Sequence, residues 1–207
     1  MRADPVTIGD MSSDTKREIA ATAARLVVEE GLEFGPAKRR ALRELGLPAR
    51  QALPDNELLE AEVEDYLRLF CADTQPQELL ALRKLALAWM QRLEELRPHL
   101  SGAVWRGTAT RLSDIYLQLF CDDSKQAEWV LLDQRVQFDV TAVTGFRGEM
   151  VDALSIQSHC PELQETIGVH LMVYDYDDLR GALSSDSRGR PLRGDITAVR
   201  QLLDNAA

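Results

Sequence analysis

The stretch that most constrains the fold is Ser101–Phe120, SGAVWRGTATRLSDIYLQLF. Upstream of it, as far as Pro98, apolar residues recur at helical spacing; Ile115–Phe120 reads instead as a short buried strand. Between the two, Gly102 and Gly107 punctuate a loop rich in small residues (Gly102, Ala103, Gly107, Thr108, Ala109, Ser113), and Asp114 stands where that loop enters the strand. Small residues let a phosphate approach backbone N–H groups closely. An acid at the mouth of a strand can hold a divalent cation that neutralises the phosphates. Helices first and a mixed strand-and-helix half afterwards predict an α+β protein. The expected division is a helical region over 1–97 packed on an α/β domain with a small mixed sheet over 98–207.

The same residues resemble a family signature. In the nucleotidyltransferase superfamily of DNA polymerase beta type, a Gly-Ser turn and an Arg-Gly pair precede Ser-Asp-x-Asp at the start of a strand. Without a gap, Gly102-Ala103 takes the first place, Arg106-Gly107 the second and Ser113-Asp114-Ile115-Tyr116-Leu117 the third. The match covers about twenty residues and departs twice: Ala103 replaces the serine and Tyr116 the second acid.

The resemblance implies a nucleotidyltransferase-like fold, with Gly102, Ala103, Arg106, Gly107 and Ser113 as nucleotide-binding residues and magnesium as cofactor if nucleotide binding is retained. It makes Asp114 the first catalytic and metal-holding acid. Asp139 is the candidate for a further one, because it interrupts an apolar neighbouring strand and a buried acid needs a partner. Nucleotidyl transfer uses two metal ions clamped by two or three carboxylates. Acids one residue apart on a strand share a face, so Tyr116 removes the middle ligand, and a phenol is a poor substitute for magnesium. Asp122 and Asp123 lie ~20 Å along the strand, too far to replace it. The expectation is a degenerate nucleotidyltransferase-like protein that binds a nucleotide or a partner with little or no transfer. The alternatives are an active metal-dependent enzyme using Asp114 and Asp139, or a non-enzymatic regulatory protein acting through its N-terminal helices.

Charge limits the partners. The net charge is -10 and the sequence pI about 4.8, so nucleic acid would have to be met by a local basic patch. Lys38, Arg39, Arg40 and Arg43 make the second expected helix basic, and Lys38, Arg39 and Arg43 are the candidate contacts for a nucleic-acid or protein partner. The commoner meaning of such a run is a solvated helix face. Three widely spaced cysteines (Cys71, Cys121, Cys160) suggest neither a disulfide framework nor a zinc site. No apolar run is long enough to span a bilayer and the start of the chain lacks a signal-like apolar region. A soluble, cytoplasmic protein with no membrane partner is expected.

Along the chain, residues 1–12 read as a loose leader. Helices are expected from Ser13 or Asp14 to Glu30, from Pro36 to Gly46, from Asn56 to Phe70 and from Pro76 to Leu96, the last buried between the two halves with Trp89 in the core. A helix over Lys125–Gln134 and strands over Val136–Val143 and Val169–Tyr174 follow. Val151–Ser158 is ambiguous, and Pro161–Ile167 reads as a short helix. Asp175-Tyr176-Asp177-Asp178 reads as a strand end or helix cap, Leu183–Gly194 as a mobile loop, and Asp195 as the cap of a last helix. His99, His159 and His170 have no zinc-like spacing.

Overall fold

A computed structural model describes residues 8–205, with eight α-helices and a six-stranded mixed sheet among them. Residues 1–7 of the expected leader lie outside the described residues, while residues 8–12 belong to the first helix. The elements in order are α1 (Ile8–Glu30), α2 (Phe34–Glu44), α3 (Asn56–Phe70), α4 (Gln75–Arg92), β1 (His99–Ser101), α5 (Gly102–Arg106), β2 (Ile115–Cys121), α6 (Gln126–Asp133), β3 (Asp139–Thr144), β4 (Met150–Cys160), β5 (Glu165–Asp175), α7 (Leu179–Ala182), β6 (Arg193–Gly194) and α8 (Ile196–Asp204). No helix among the described residues is long and apolar enough to cross a membrane.

Contacts divide the chain between Thr74 and Gln75, not near Pro98. The first unit is α1–α3. Gly31, at φ 67°, ends α1, a backbone angle that glycine adopts without strain. Asp55 caps α3 by accepting the Leu58 N–H at 2.7 Å. Ile19, Ala23 and Leu26 of α1 recur on one face and meet Ala37, Ala41 and Leu42 of α2 and Leu59 and Val63 of α3 in one core. Around it, Arg40 pairs with Glu30 and Glu44, and Arg25 with Glu29 and Glu44. Tyr66 donates to Glu29 at 2.5 Å, which pushes the phenol up to about 12.

The basic helix is only partly a surface feature. Lys38 is 7% exposed and its ammonium donates at 2.7 Å to the Pro54 carbonyl and at 2.7 Å to Asn56 Oδ1. It pins the loop between α2 and α3 from inside, so it is withdrawn from the expected partner-binding set. Arg39 and Arg43 remain exposed.

The second unit begins with α4, because that helix shares the core of the sheet. Leu82, Ala86, Trp89, Met90 and Leu93 pack with Ile115, Leu117 and Leu119 of β2, Leu154 and Ile156 of β4, and Val169, Leu171 and Val173 of β5. Trp89 is core, as expected; its indole N–H donates to Ser158 Oγ at 2.9 Å. The strand order is β3-β4-β5-β2-β1-β6. Among the described residues only the β2–β5 pair is parallel. The ambiguous stretch is the long strand β4, and the helix expected over Pro161–Ile167 is instead a turn followed by β5, with Cys160 paired to Glu165. The segment expected to be a mobile loop carries a Ser185–Pro191 bridge and the edge strand β6. Asp175 and Asp195 cap the helical turns that follow them.

Replacing Lys38 by methionine keeps the bulk but strands the Pro54 carbonyl and the Asn56 amide. We expect Lys38→Met to cost about 1–3 kcal/mol in a urea titration, while Arg39→Ala stays within about 0.5 kcal/mol of the parent.

Candidate functional site

Side chains alternate along a strand, so the apolar face of the sheet in the second unit has a counterpart. Residues directly opposite across paired strands share a face, and the registers join six of them into one row. Asp139 lies opposite Ser155, Ser155 opposite His170, His170 opposite Tyr116, Tyr116 opposite Ser101 and Ser101 opposite Arg193. At one end this face is closed by a small cluster of Phe120, Tyr174 and Ala182 with Phe146, Met172 and Leu179. The part around Tyr116, His170 and Ser155 is half-buried.

A hydrogen-bonded chain crosses this part. Asp114 Oδ1 accepts the Gly168 N–H at 3.1 Å, and Asp114 Oδ2 lies 3.0 Å from His170 Nε2. The other ring nitrogen, Nδ1, lies 2.9 Å from Ser155 Oγ. An ionised carboxylate only accepts, so Nε2 carries a proton, and in the neutral imidazole Nδ1 then presents its lone pair to the Ser155 hydroxyl. The His170 hydrogen bond, helped by the Gly168 amide, holds Asp114 below the usual carboxylate range. Tyr116 stacks on the other side of the imidazole, ring centroids 4.9 Å apart and planes 25° from parallel.

Gly168 is what lets the acid in. A Cβ built there would sit 2.7 Å from Asp114 Cγ. Gly102 is required for a different reason: its φ of 69° lies in the left-handed region, while a Cβ there would meet Tyr116 Cδ2 at an ordinary 3.6 Å.

The other residues expected at the site go elsewhere. Ala103 lies in α5, where its carbonyl accepts the Gly107 and Thr108 N–H groups. Arg106 turns to Asp186 at 3.8 Å. Gly107 ends α5 at φ 92° and its carbonyl accepts from Gln75 Nε2 at 3.0 Å. Ser113 closes a turn, its hydroxyl accepting the Thr110 N–H at 3.0 Å. The segment from Gly102 to Ser113 is thus a short helix and a structured loop.

Asp139 is not beside Asp114. Two strands, β4 and β5, separate β3 from β2, which puts Asp139 about 14 Å across the sheet from Tyr116. It is exposed at the outer strand, so its charge needs no buried partner. It does line a cleft of about 930 Å³ together with Arg92, Phe138, Ser155, Gln157 and His159. Among the described residues, no three of His, Cys, Asp and Glu come together to hold a metal ion.

Neither His170 nor Ser155 is among the site residues expected from the sequence. The signal for His170 was present, since it is the polar position between Val169 and Leu171 in an apolar strand. His99, by contrast, is packed against Phe120 and burial pushes its imidazole down. Polar groups are also buried in this unit. Gln118 Oε1 and Arg193 Nε and Nη1 have no hydrogen-bond partners, and Arg193 lies over the Phe146 ring at 4.8 Å.

We expect Gly168→Ala to expel Asp114 and release His170, seen as a shift of the imidazole signals in NMR. In acid the sign is fixed by the depressed carboxyl: the stability Asp114 contributes is full above its ordinary value of 3.8 and is lost as pH falls through the lower folded value. Asp114→Asn removes that increment, so parent and variant melts converge below that range. Comparison with protein-family models, with curated proteins and with solved structures finds no match to this chain.

Proposed function

We propose that the chain is a nucleotidyltransferase-like protein that has lost the metal clamp and binds a nucleotide on the half-open face of its sheet, without transfer. The reading rests on the resemblance of Ser101–Phe120 and on the path of that segment: β1 leads into a turn at Gly102, and the chain returns through Asp114 into the neighbouring strand β2. The observation that carries it is the company of Asp114. Its two carboxylate oxygens engage His170 and Gly168, the place of the second acid holds Tyr116 against His170, and Asp139 stands three strands away. These residues do not fit a two-magnesium clamp, in which carboxylates converge on ions roughly 4 Å apart. What the face offers a nucleotide is an aromatic pair on which a base can stack.

The partner-binding reading through the N-terminal helices is weaker, because Lys38 is buried and Arg40 is engaged by two glutamates. Thermal-shift titration with each of the four ribonucleoside triphosphates, with magnesium and with a chelator, tests the proposal. The expected outcome is a shift that the chelator leaves intact and that Tyr116→Ala weakens about tenfold or more, the usual worth of one stacked base. Transfer of labelled nucleotide to an acceptor, abolished by Asp114→Ala, would overturn it in favour of an active enzyme.

A further inference from the structure

The chain Asp114–His170–Ser155 has the roles of an acyl-transfer site, and Ser155 is among the residues that line a cleft. We infer that Ser155 is a nucleophile toward small carboxylic esters, with His170 as its base, Asp114 as the positioning residue and the Gln157 side-chain amide as donor to the developing oxyanion.

Three geometric requirements of such a site are met. The nucleophile is within hydrogen-bond reach of the base, Ser155 Oγ to His170 Nδ1 at 2.9 Å. The base is oriented by an acid on its other nitrogen at 3.0 Å, and that acid is itself fixed by the Gly168 amide at 3.1 Å. The nucleophile is half-buried on the polar face of the sheet, and Ser155 is one of the residues that line the cleft of about 930 Å³, with Trp89, Arg92, Leu132 and Val136 on its helix side. The cleft exists because β3 stops early. Its register ends at Asp139 opposite Ser155, while β4 continues to Cys160 paired only with β5. From Ile156 onward the outer side of β4 therefore has no strand beside it among the described residues.

Gln157 lies two residues beyond Ser155 on the same face, is exposed and lines the same cleft. A side-chain amide at that distance can donate to an oxygen on a carbon bonded to Ser155. Phe138 supplies an apolar wall. Asp139, directly across from Ser155, disfavours anionic acyl groups, so the substrate class is a neutral or cationic ester.

The steps balance without any cofactor. As Ser155 Oγ bonds to the acyl carbon, its proton passes to His170 Nδ1. The carbon–oxygen bond to the alcohol breaks and the alcohol leaves with that proton. Water then gives a proton to His170 and its oxygen to the acyl carbon. The Ser155–carbon bond breaks, the proton returns to Oγ, and the carboxylic acid is released. Asp114 stays ionised throughout and keeps the proton on Nε2, so that Nδ1 is the basic nitrogen.

The test uses the full chain with p-nitrophenyl acetate as substrate and a fluorophosphonate as covalent probe. The expected result is one adduct, mapped by mass spectrometry to Ser155 and absent from Ser155→Ala. Turnover should fall about a hundredfold in His170→Ala, the scale of general-base catalysis. Asp114→Asn should lower kcat with KM unchanged, which a loosened fold would not do selectively. Ser155→Cys, nearly isosteric, covers the case in which Ser155→Ala misfolds: its thiol should react with iodoacetamide about a hundredfold faster with His170 present than in the double variant His170→Ala. An adduct on another residue, no adduct at Ser155, or rates indifferent to His170 would overturn the inference. None of these outcomes bears on nucleotide binding, which the thermal shifts report separately.

Discussion

The parallel pairing of β2 with β5, with Ile115 opposite Val169, is the constraint on which the rest of the second unit turns. It places two alternating rows back to back. On one side Ile115, Leu117, Leu119, Val169, Leu171 and Val173 are buried against the helices. On the other, Tyr116 meets His170 and Asp114 meets Gly168. The magnitudes show which row governs. Each fully buried branched side chain contributes about 1.5–3 kcal/mol, whereas a hydrogen bond such as Ser155–His170 nets about 0.5–1.5 kcal/mol. A slip by one residue would move the apolar row into water. The hydrophobic side thus holds the register, and the polar side inherits its geometry.

That division explains how one carboxylate can end in a role unlike the one its sequence context suggests. Asp114 sits at the mouth of a strand, where a metal-holding acid would sit, yet both its oxygens are turned sideways along the neighbouring strand. The turn is possible because position 168 has no side chain, and it is sustained because the histidine two residues further on faces the same way. Tyr116 closes the other side of the imidazole and lies against Gly102. The result is a ring gripped from both ends and covered on one face. Such a ring has one defined tautomer, which is the condition for acting as a base.

Much of the scaffold was legible in the residues. Asp195 before α8 and Asp175 at the end of β5 announce their caps because a short acid reaches the next turn's amides whatever the tertiary context. Trp89 belongs to the core simply by size and spacing. The misreadings have physical causes. Val151–Ser158 lacks clean alternation because its two faces pack against different things, helices on one side and a polar row on the other. Pro161–Ile167 looked helical, but Gln164 adopts φ 55° and turns the chain back into β5. The contacts group α4 with the sheet and not with α1–α3; helical periodicity says that α4 has an apolar face without saying which core receives it. Asp139 and His170 were misjudged for one shared reason: pairing of distant strands decides who neighbours Asp114, and a single sequence carries no record of that pairing.

The early stop of β3 has a colloidal side as well. This outermost strand is exposed along nearly its whole length and offers main-chain groups to any extended peptide of matching shape. Chains carrying a formal charge of -10 repel one another. That repulsion fades as the solution approaches the isoelectric region near 4.8, which lowers the barrier to pairing of two such edges.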